Sequence, residues 1–366
     1  MKVSARKTAL NVFLVLGISL VLINSGCVKK EGATSGDVSG VAAGNEILVG
    51  EYGSMTGSES TFGVSTHKGI LMALDEVNKA GGVKGKKIQL KNYDDQGQAS
   101  EAVTIITKLI TQDKVSLILG EVASSRSIAA GAIAQQYKIP MVSPSSTNPK
   151  VTRIGDHIFR VCFIDPFQGA VMARFAINNL KLKRAAVFRD IKADYSVGLA
   201  NFFVDEYKKL GGEILSDVSY ASGDMDFKSQ LTSIKGKNPD VLFVPGYYTE
   251  VGLIARQARE LGLKAVLLGG DGWDSEKLTE IGGEAIVGGY FSNHYSHEDQ
   301  SPVVQNFVAQ FKARYGEVPS GLAAQGYDAA MVAVDAMKRA GDLTPKALRD
   351  ALAQTKNFQE IGRAHV

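Results

Sequence analysis

From Ile47 onward, short apolar runs alternate with longer segments whose apolar positions recur every three or four residues. The first pattern is that of a buried strand, the second that of an amphipathic helix. Residues 66–80 place Ile70, Leu71, Leu74 and Val77 at helical spacing and stop at Gly81-Gly82. A strand at 47–50 precedes them, and strands at 87–93, 116–119 and 140–143 follow, separated by helices at 98–112 and 127–137. A second series begins after Asp165-Pro166, with helices at 167–180, 196–210, 226–235 and 249–261 between strands at 184–189, 213–220, 241–245 and 265–269. A strand-like stretch at 289–293 and helices at 303–315 and 323–340 then return the chain toward its first half.

Strands alternating with helices predict parallel sheets covered on both faces. The fold class is therefore α/β, with two doubly wound parallel-sheet lobes joined by a hinge. The expected boundaries are 46–163 plus 290–343 for lobe 1 and 164–289 plus 344–360 for lobe 2. In open sheets of this kind ligands sit beyond the carboxyl ends of the strands, so a cleft between the lobes is the expected site.

Ahead of the first strand, Lys2, Arg6 and Lys7 precede an apolar run at 12–23 and then Ser25-Gly26-Cys27. That order is a secretory signal, 1–26, and the run is short for a bilayer span. Cys27 after small residues looks like a bacterial lipobox, which implies a lipidated first residue on a Gly/Ser/Ala-rich tether, 27–45. With Cys27 acylated, Cys162 is the one thiol left and no internal disulfide forms. The net charge of +3 is spread along the chain without basic runs interleaved with aromatics, which excludes a nucleic-acid surface.

Candidate chemistry concentrates at the predicted strand ends. Residues 141–147 (MVSPSST) put Ser145, Ser146 and Thr147 into a turn whose hydroxyls and backbone amides suit a small anion. Ser124 and Ser125 upstream, with Tyr195, Tyr247 and Asp271 downstream, complete a set that would grip a zwitterion, the acid facing an ammonium. Each residue has a plainer reading: a turn stabilised by side-chain bonds, a turn acid at Asp271, packing roles for the tyrosines. His294, His297 and Asp299 have a spacing that could suit a metal but read as a solvent-facing loop. No His falls in the predicted cleft to activate a serine, which argues against a hydrolase.

The ordered segments 53–57 (GSMTG) with Phe62-Gly63, 78–82 (NKAGG), 93–95 (YDD), 120–125 (GEVASS), 143–147 (SPSST), Asp194-Tyr195 with Gly198, Gly246-Tyr247, and 269–272 (GGDG) resemble the type I periplasmic solute-binding proteins of branched-chain amino-acid (leucine/isoleucine/valine) ABC transporters. The resemblance runs from about Ile47 onward and implies a lipoprotein form, extracytoplasmic and anchored in a membrane. It implies capture of an aliphatic amino acid by a monomer and delivery to an ABC permease, without catalysis, cofactor or metal. By that similarity Ser124, Ser145, Ser146 and Thr147 hold the carboxylate and part of the ammonium, Asp271 neutralises the ammonium, Tyr195 and Tyr247 close from the second lobe, and Phe62 touches the ligand's side chain. Leucine binders of the family commonly carry Glu where Asp271 stands, which leaves amide- or urea-type ligands, or a sensing role through a receptor, as alternatives. The chain ends without the final strand or hairpin of such proteins, and residues 361–366 read like a translated sequencing adapter, hence a non-native tail.

Overall fold

The computed structural model describes residues 45–362. In chain order it has β1 (Glu46–Gly53), α1 (Ser60–Lys79), β2 (Lys87–Asp94), α2 (Ala99–Thr111), β3 (Leu117–Leu119), α3 (Ser124–Gln136), β4 (Met141–Ser143) and β5 (Ile158–Arg160). The second half continues with α4 (Asp165–Arg174), β6 (Arg184–Asp190), α5 (Asp194–Lys209), β7 (Glu213–Tyr220), α6 (Lys228–Gly236), β8 (Val241–Phe243), α7 (Tyr248–Glu260), β9 (Val266–Gly269), α8 (Glu276–Gly282) and β10 (Tyr290–Phe291). Helices α9 (Pro302–Tyr315), α10 (Gly321–Arg339) and α11 (Pro345–Ala353) close the described chain.

Two five-stranded sheets result, ordered β2-β1-β3-β4-β5 and β10-β9-β8-β6-β7, every pair parallel. Both have the same winding: the chain steps outward on one side of the first strand, then crosses back and continues on the other. Each sheet thus has a switch point, and the loops leaving the strands on either side of it open a crevice.

Alternation along the strands divides the first lobe's core between the two sheet faces. Ile47, Val49, Leu117, Leu119 and Val142 pack with α1, α10 and α11, whereas Ile118 and Met141 pack with α2 and α3. The second lobe's core contains Val187, Phe243 and Leu268 from its strands, and it also takes in Phe62, Val122, Ala123 and Leu322 from the first lobe. The lobes are closed on one another.

The α/β class and the doubly wound lobes agree with the sequence reading, but several elements do not. Strand β5 and helix α8 are too short to stand out by periodicity, and they complete the lobes on either side of the crossover. Tyr290-Phe291 pairs with β9 and so belongs with the second sheet, not with lobe 1. Residues 345–353 were expected in lobe 2, yet Leu348, Ala351 and Leu352 pack in the core beneath α10. The amphipathic face of α11 meets the apolar edge of the first lobe, which periodicity alone does not assign. In the segment read as a non-native tail, Ile361 is buried beside Met72 and Phe307, and the N–H groups of Ile361 and Gly362 bond the Asp328 carboxylate at 2.8 and 2.7 Å, which shows how these residues pack and not where they come from. Cys27 and the signal lie outside the described residues, while Cys162 is buried and its thiol is pushed up to about 12 by burial, an inert hydrophobe rather than a nucleophile. Among the described residues no helix is long and apolar enough to cross a membrane.

Candidate functional site

Strand β3 ends at Leu119, and the loop that follows delivers Ser124 into the first turn of α3, where backbone N–H groups lack intrahelical acceptors. The Ser124 hydroxyl accepts from the Asn148 N–H at 3.2 Å, which ties this turn to the one after β4. In that second turn the Ser145 hydroxyl donates to Gln325 of α10 at 2.9 Å. Arg160 donates to the backbone carbonyls of Ser146 and Asn148. A cation beneath the turn thus engages its carbonyl oxygens and leaves hydroxyl oxygens facing the cleft.

The second lobe supplies the opposite wall. Tyr195 opens α5 and Tyr247 precedes α7, and their rings stack at 5.2 Å with 6° between planes. Phe62 of α1 meets Tyr247 edge-on at 5.4 Å. The Tyr195 hydroxyl accepts from the Gly272 N–H at 3.0 Å, and burial raises both phenols well above the usual range, so they stay neutral donors. Asp271, in a tight turn after β9, is buried. Its Oδ2 lies 3.1 Å from His294 Nε2, and its Oδ1 has no hydrogen-bond partner among the described residues.

Of the eight side chains expected to touch ligand, the structure brings seven around one small cavity: Phe62, Ser124, Ser145, Thr147, Tyr195, Tyr247 and Asp271. Val122, Gly272 and Leu322 complete its lining. The eighth, Ser146, does not line it. Its hydroxyl turns inward to the carbonyls of Glu121 and Val122 and the Ser127 hydroxyl, at 2.9, 3.0 and 2.7 Å, and fixes the β3–α3 loop instead. Ser146 thus faces away from the cavity that Ser145 and Thr147 line.

His294 also departs from its expectation. Rather than facing solvent it is buried against Asp271 and packed on Phe163 with ring centroids 3.5 Å apart and 31° between planes, while His297 is exposed. Among the described residues no group of His, Cys, Asp and Glu could hold a metal.

Behind the cavity wall lies a buried charge cluster. Arg126 reaches Glu59 at 2.7 Å and Glu121 at 3.1 Å, and the Ser54 hydroxyl sits between Asp95 and Glu121. Burial and the neighbouring acids push Glu121 up to about 8, so one carboxyl of the cluster keeps a proton at neutral pH. Asp165, beneath Thr147 and Asp271, is pushed up to about 7, first by burial.

Contacts across the cleft mouth hold the lobes together. The Asp194 backbone N–H and carboxylate meet the Ser125 hydroxyl at 2.8 and 3.2 Å, its carbonyl accepts from Asn148 at 2.7 Å, and Lys150 lies 2.9 Å from its carboxylate. A side chain at Gly198 would push against the Asn148 amide that makes this contact. On the other side the Thr61 and Ser275 hydroxyls lie 2.9 Å apart and Thr249 donates to the Ser58 carbonyl at 2.6 Å.

Comparison with known proteins places this arrangement. The profile of the periplasmic binding proteins matches residues 46–365. The Leu/Ile/Val-binding protein homolog 3 of Brucella melitensis is 32% identical, over 82% of this chain and 81% of its own length. The leucine-, isoleucine-, valine-, threonine- and alanine-binding protein of Pseudomonas aeruginosa is 31% identical over 87% and 85%. Among solved structures, a leucine-binding protein of Thermotoga maritima aligns with a TM-score of 0.83 at 43% identity, over 86% of this chain and 89% of that one. A branched-chain amino-acid transporter substrate-binding protein of Streptococcus pneumoniae, in complex with isoleucine, aligns with a TM-score of 0.82 at 35% identity, over 86% and 90%. With its paired sheets, its cleft and these relatives over most of its length, the chain belongs to the periplasmic binding protein family.

Proposed function

We propose that the protein captures a branched-chain amino acid in the cleft between its lobes, outside the cytoplasmic membrane, and delivers it to an ABC permease. The observation that carries this reading is the polarity of one small cavity. Hydroxyls of Ser124, Ser145 and Thr147 and the first turn of α3 stand on the first-lobe side, Asp271 on the second-lobe side, and Phe62, Val122 and Leu322 line the apolar wall. A zwitterion with an aliphatic side chain matches those three features together. The carboxylate lies with the hydroxyls and helix N-terminus, the ammonium with Asp271, and the side chain against Phe62. Tyr195 and Tyr247 close over it from the second lobe. The names of the Brucella and Pseudomonas relatives, and the isoleucine complex of the Streptococcus protein, support the same ligand class.

In this reading the protein works as a monomer and carries out no reaction. The segment ahead of Cys27 directs it across the membrane, and Cys27 becomes the lipidated anchor. Fatty-acid labelling of cells should mark the wild-type protein and not Cys27→Ser; equal labelling of both removes the anchor from the proposal. The ligand is tested by thermal unfolding against leucine, isoleucine, valine, urea and short amides. An amino acid at about a thousand times its dissociation constant adds roughly 4 kcal/mol of stability, a shift of several degrees. A shift with amides or urea alone assigns a different ligand class to the same cleft.

A further inference from the structure

Asp271 is held from behind, and the group that holds it is titratable. His294 leaves β10 in the segment that returns the chain to the first lobe. Its side chain is 1% exposed, and its ring packs on Phe163 of the outgoing segment between β5 and α4. The two crossovers therefore meet at this ring, and the ring meets the one carboxylate lining the cavity. With Asp271 ionised, Nε2 must carry the hydrogen that reaches Oδ2 at 3.1 Å. Nδ1 is then a lone pair, buried and without a hydrogen-bond partner among the described residues. The free oxygen, Oδ1, is the one left for a cation in the cavity.

We propose that His294 is a positioning residue for amino-acid capture: its neutral ring bonds Asp271 Oδ2 and leaves Oδ1 to the ligand's ammonium, and proton uptake by the ring lowers affinity. The inference rests on the amino-acid reading of the cleft. A neutral ring leaves Asp271 with its full charge. A protonated ring places a cation 3.1 Å from that carboxylate, on the side opposite the ligand. The two cations then share one anion in a water-poor cleft, and the ammonium loses attraction that nothing else on the cavity wall replaces.

Other charged groups face this pair and belong in the test. Asp165 of α4 feels the Asp271 charge and is pushed up to about 7, first by burial. Asp274, in the turn after Asp271, is raised by burial and feels the His294 charge. Arg160 of β5 acts on Asp165, the Cys162 thiol feels Asp271, and Asp328 of α10 lies on the first-lobe side next to Gln325 and Gly362.

The deciding experiment is calorimetric titration with leucine at about pH 8 and about pH 5, where a histidine changes charge, for wild type, His294→Gln, His294→Phe and Asp165→Asn. Wild-type affinity should fall roughly tenfold between the two. At the higher pH, His294→Phe should bind more weakly than wild type, and His294→Gln, whose amide still offers a donor to Asp271, should recover most of the loss. The Gln variant should then lose the pH dependence, to within about twofold, whereas Asp165→Asn keeps it. An unchanged pH profile in His294→Gln, or a profile abolished only by Asp165→Asn, overturns the inference. Absence of leucine binding by wild type at either pH overturns the amino-acid reading and this inference with it.

Discussion

Asp271→Ala is expected to weaken leucine binding by between two and four orders of magnitude, measured by calorimetry at neutral pH. The size follows from what the cleft would then contain. The wild-type carboxylate is 7% exposed, one oxygen is bonded by His294, and the other is unpartnered. An amino acid closing into this cavity brings an ammonium out of water. Breaking a buried pair by removing one partner costs on the order of 3 to 5 kcal/mol, because the remaining charge is left desolvated, and each 1.4 kcal/mol is about tenfold in affinity. Asp271→Asn should lose nearly as much, since an amide keeps the shape and not the charge. In the free protein two effects oppose: the buried His294 Nε2–H loses its acceptor, at a cost of about 1–3 kcal/mol, and a repulsion is removed. Burial and the Asp271 charge both raise the Asp165 carboxyl, so neutralising Asp271 relieves a repulsion at a buried acid. Affinity retained to within about tenfold in Asp271→Ala would contradict the pairing of this carboxylate with the ligand's cation.

The two lobes were legible in the sequence because burial on both faces of a parallel sheet leaves a simple mark. Runs such as 117–119 and 241–243 are apolar throughout, and the helices between them keep a helical period. Positions that depend on the direction of a single side chain were less so. The turn at 145–147 offered three hydroxyls of equal appeal, and only the folded turn shows that 145 and 147 line the cavity while 146 bonds the β3–α3 loop. His294 carried no signal either. It sits among polar residues, and the usual inference from a polar loop is solvent. A segment that crosses between two lobes is a loop by sequence and an interior by position. Gln325, bonded to Ser145, was hidden likewise inside a helix whose remaining inward positions are mostly small and apolar. Helix α11 went to the wrong lobe because an amphipathic face specifies that it is covered, not by which core.

Gly69→Ala should destabilise the protein by about 3 kcal/mol or more, against the normal sign of this substitution. In an exposed helix interior, Gly to Ala gains about 1 kcal/mol because alanine loses less backbone entropy. Gly69 lies in the middle of α1, and a Cβ built there would overlap the carbonyl oxygen of Ala323 and come within 2.9 Å of the Tyr327 N–H. Gly326 of α10 faces Thr66 of α1 in the same way, so each helix presents a glycine to the other's backbone. Neither contact can be relieved by a rotamer change. The helices must move apart, and the buried residues between them, Ile70, Ala329 and Ala330, lose their packing. Function should follow, because α1 carries Phe62 and α10 carries Leu322 and Gln325, two of which line the cavity while the third holds Ser145. A shift between these helices alters the cavity wall as well as the core. Gly236→Ala at the end of α6, where an added Cβ meets nothing within 4 Å, is the matched comparison and should be neutral or slightly stabilising. Chemical unfolding of the two variants separates the causes: a loss at Gly69 with none at Gly236 assigns the effect to helix–helix contact, and a gain at both would show that α1 and α10 tolerate the wider spacing.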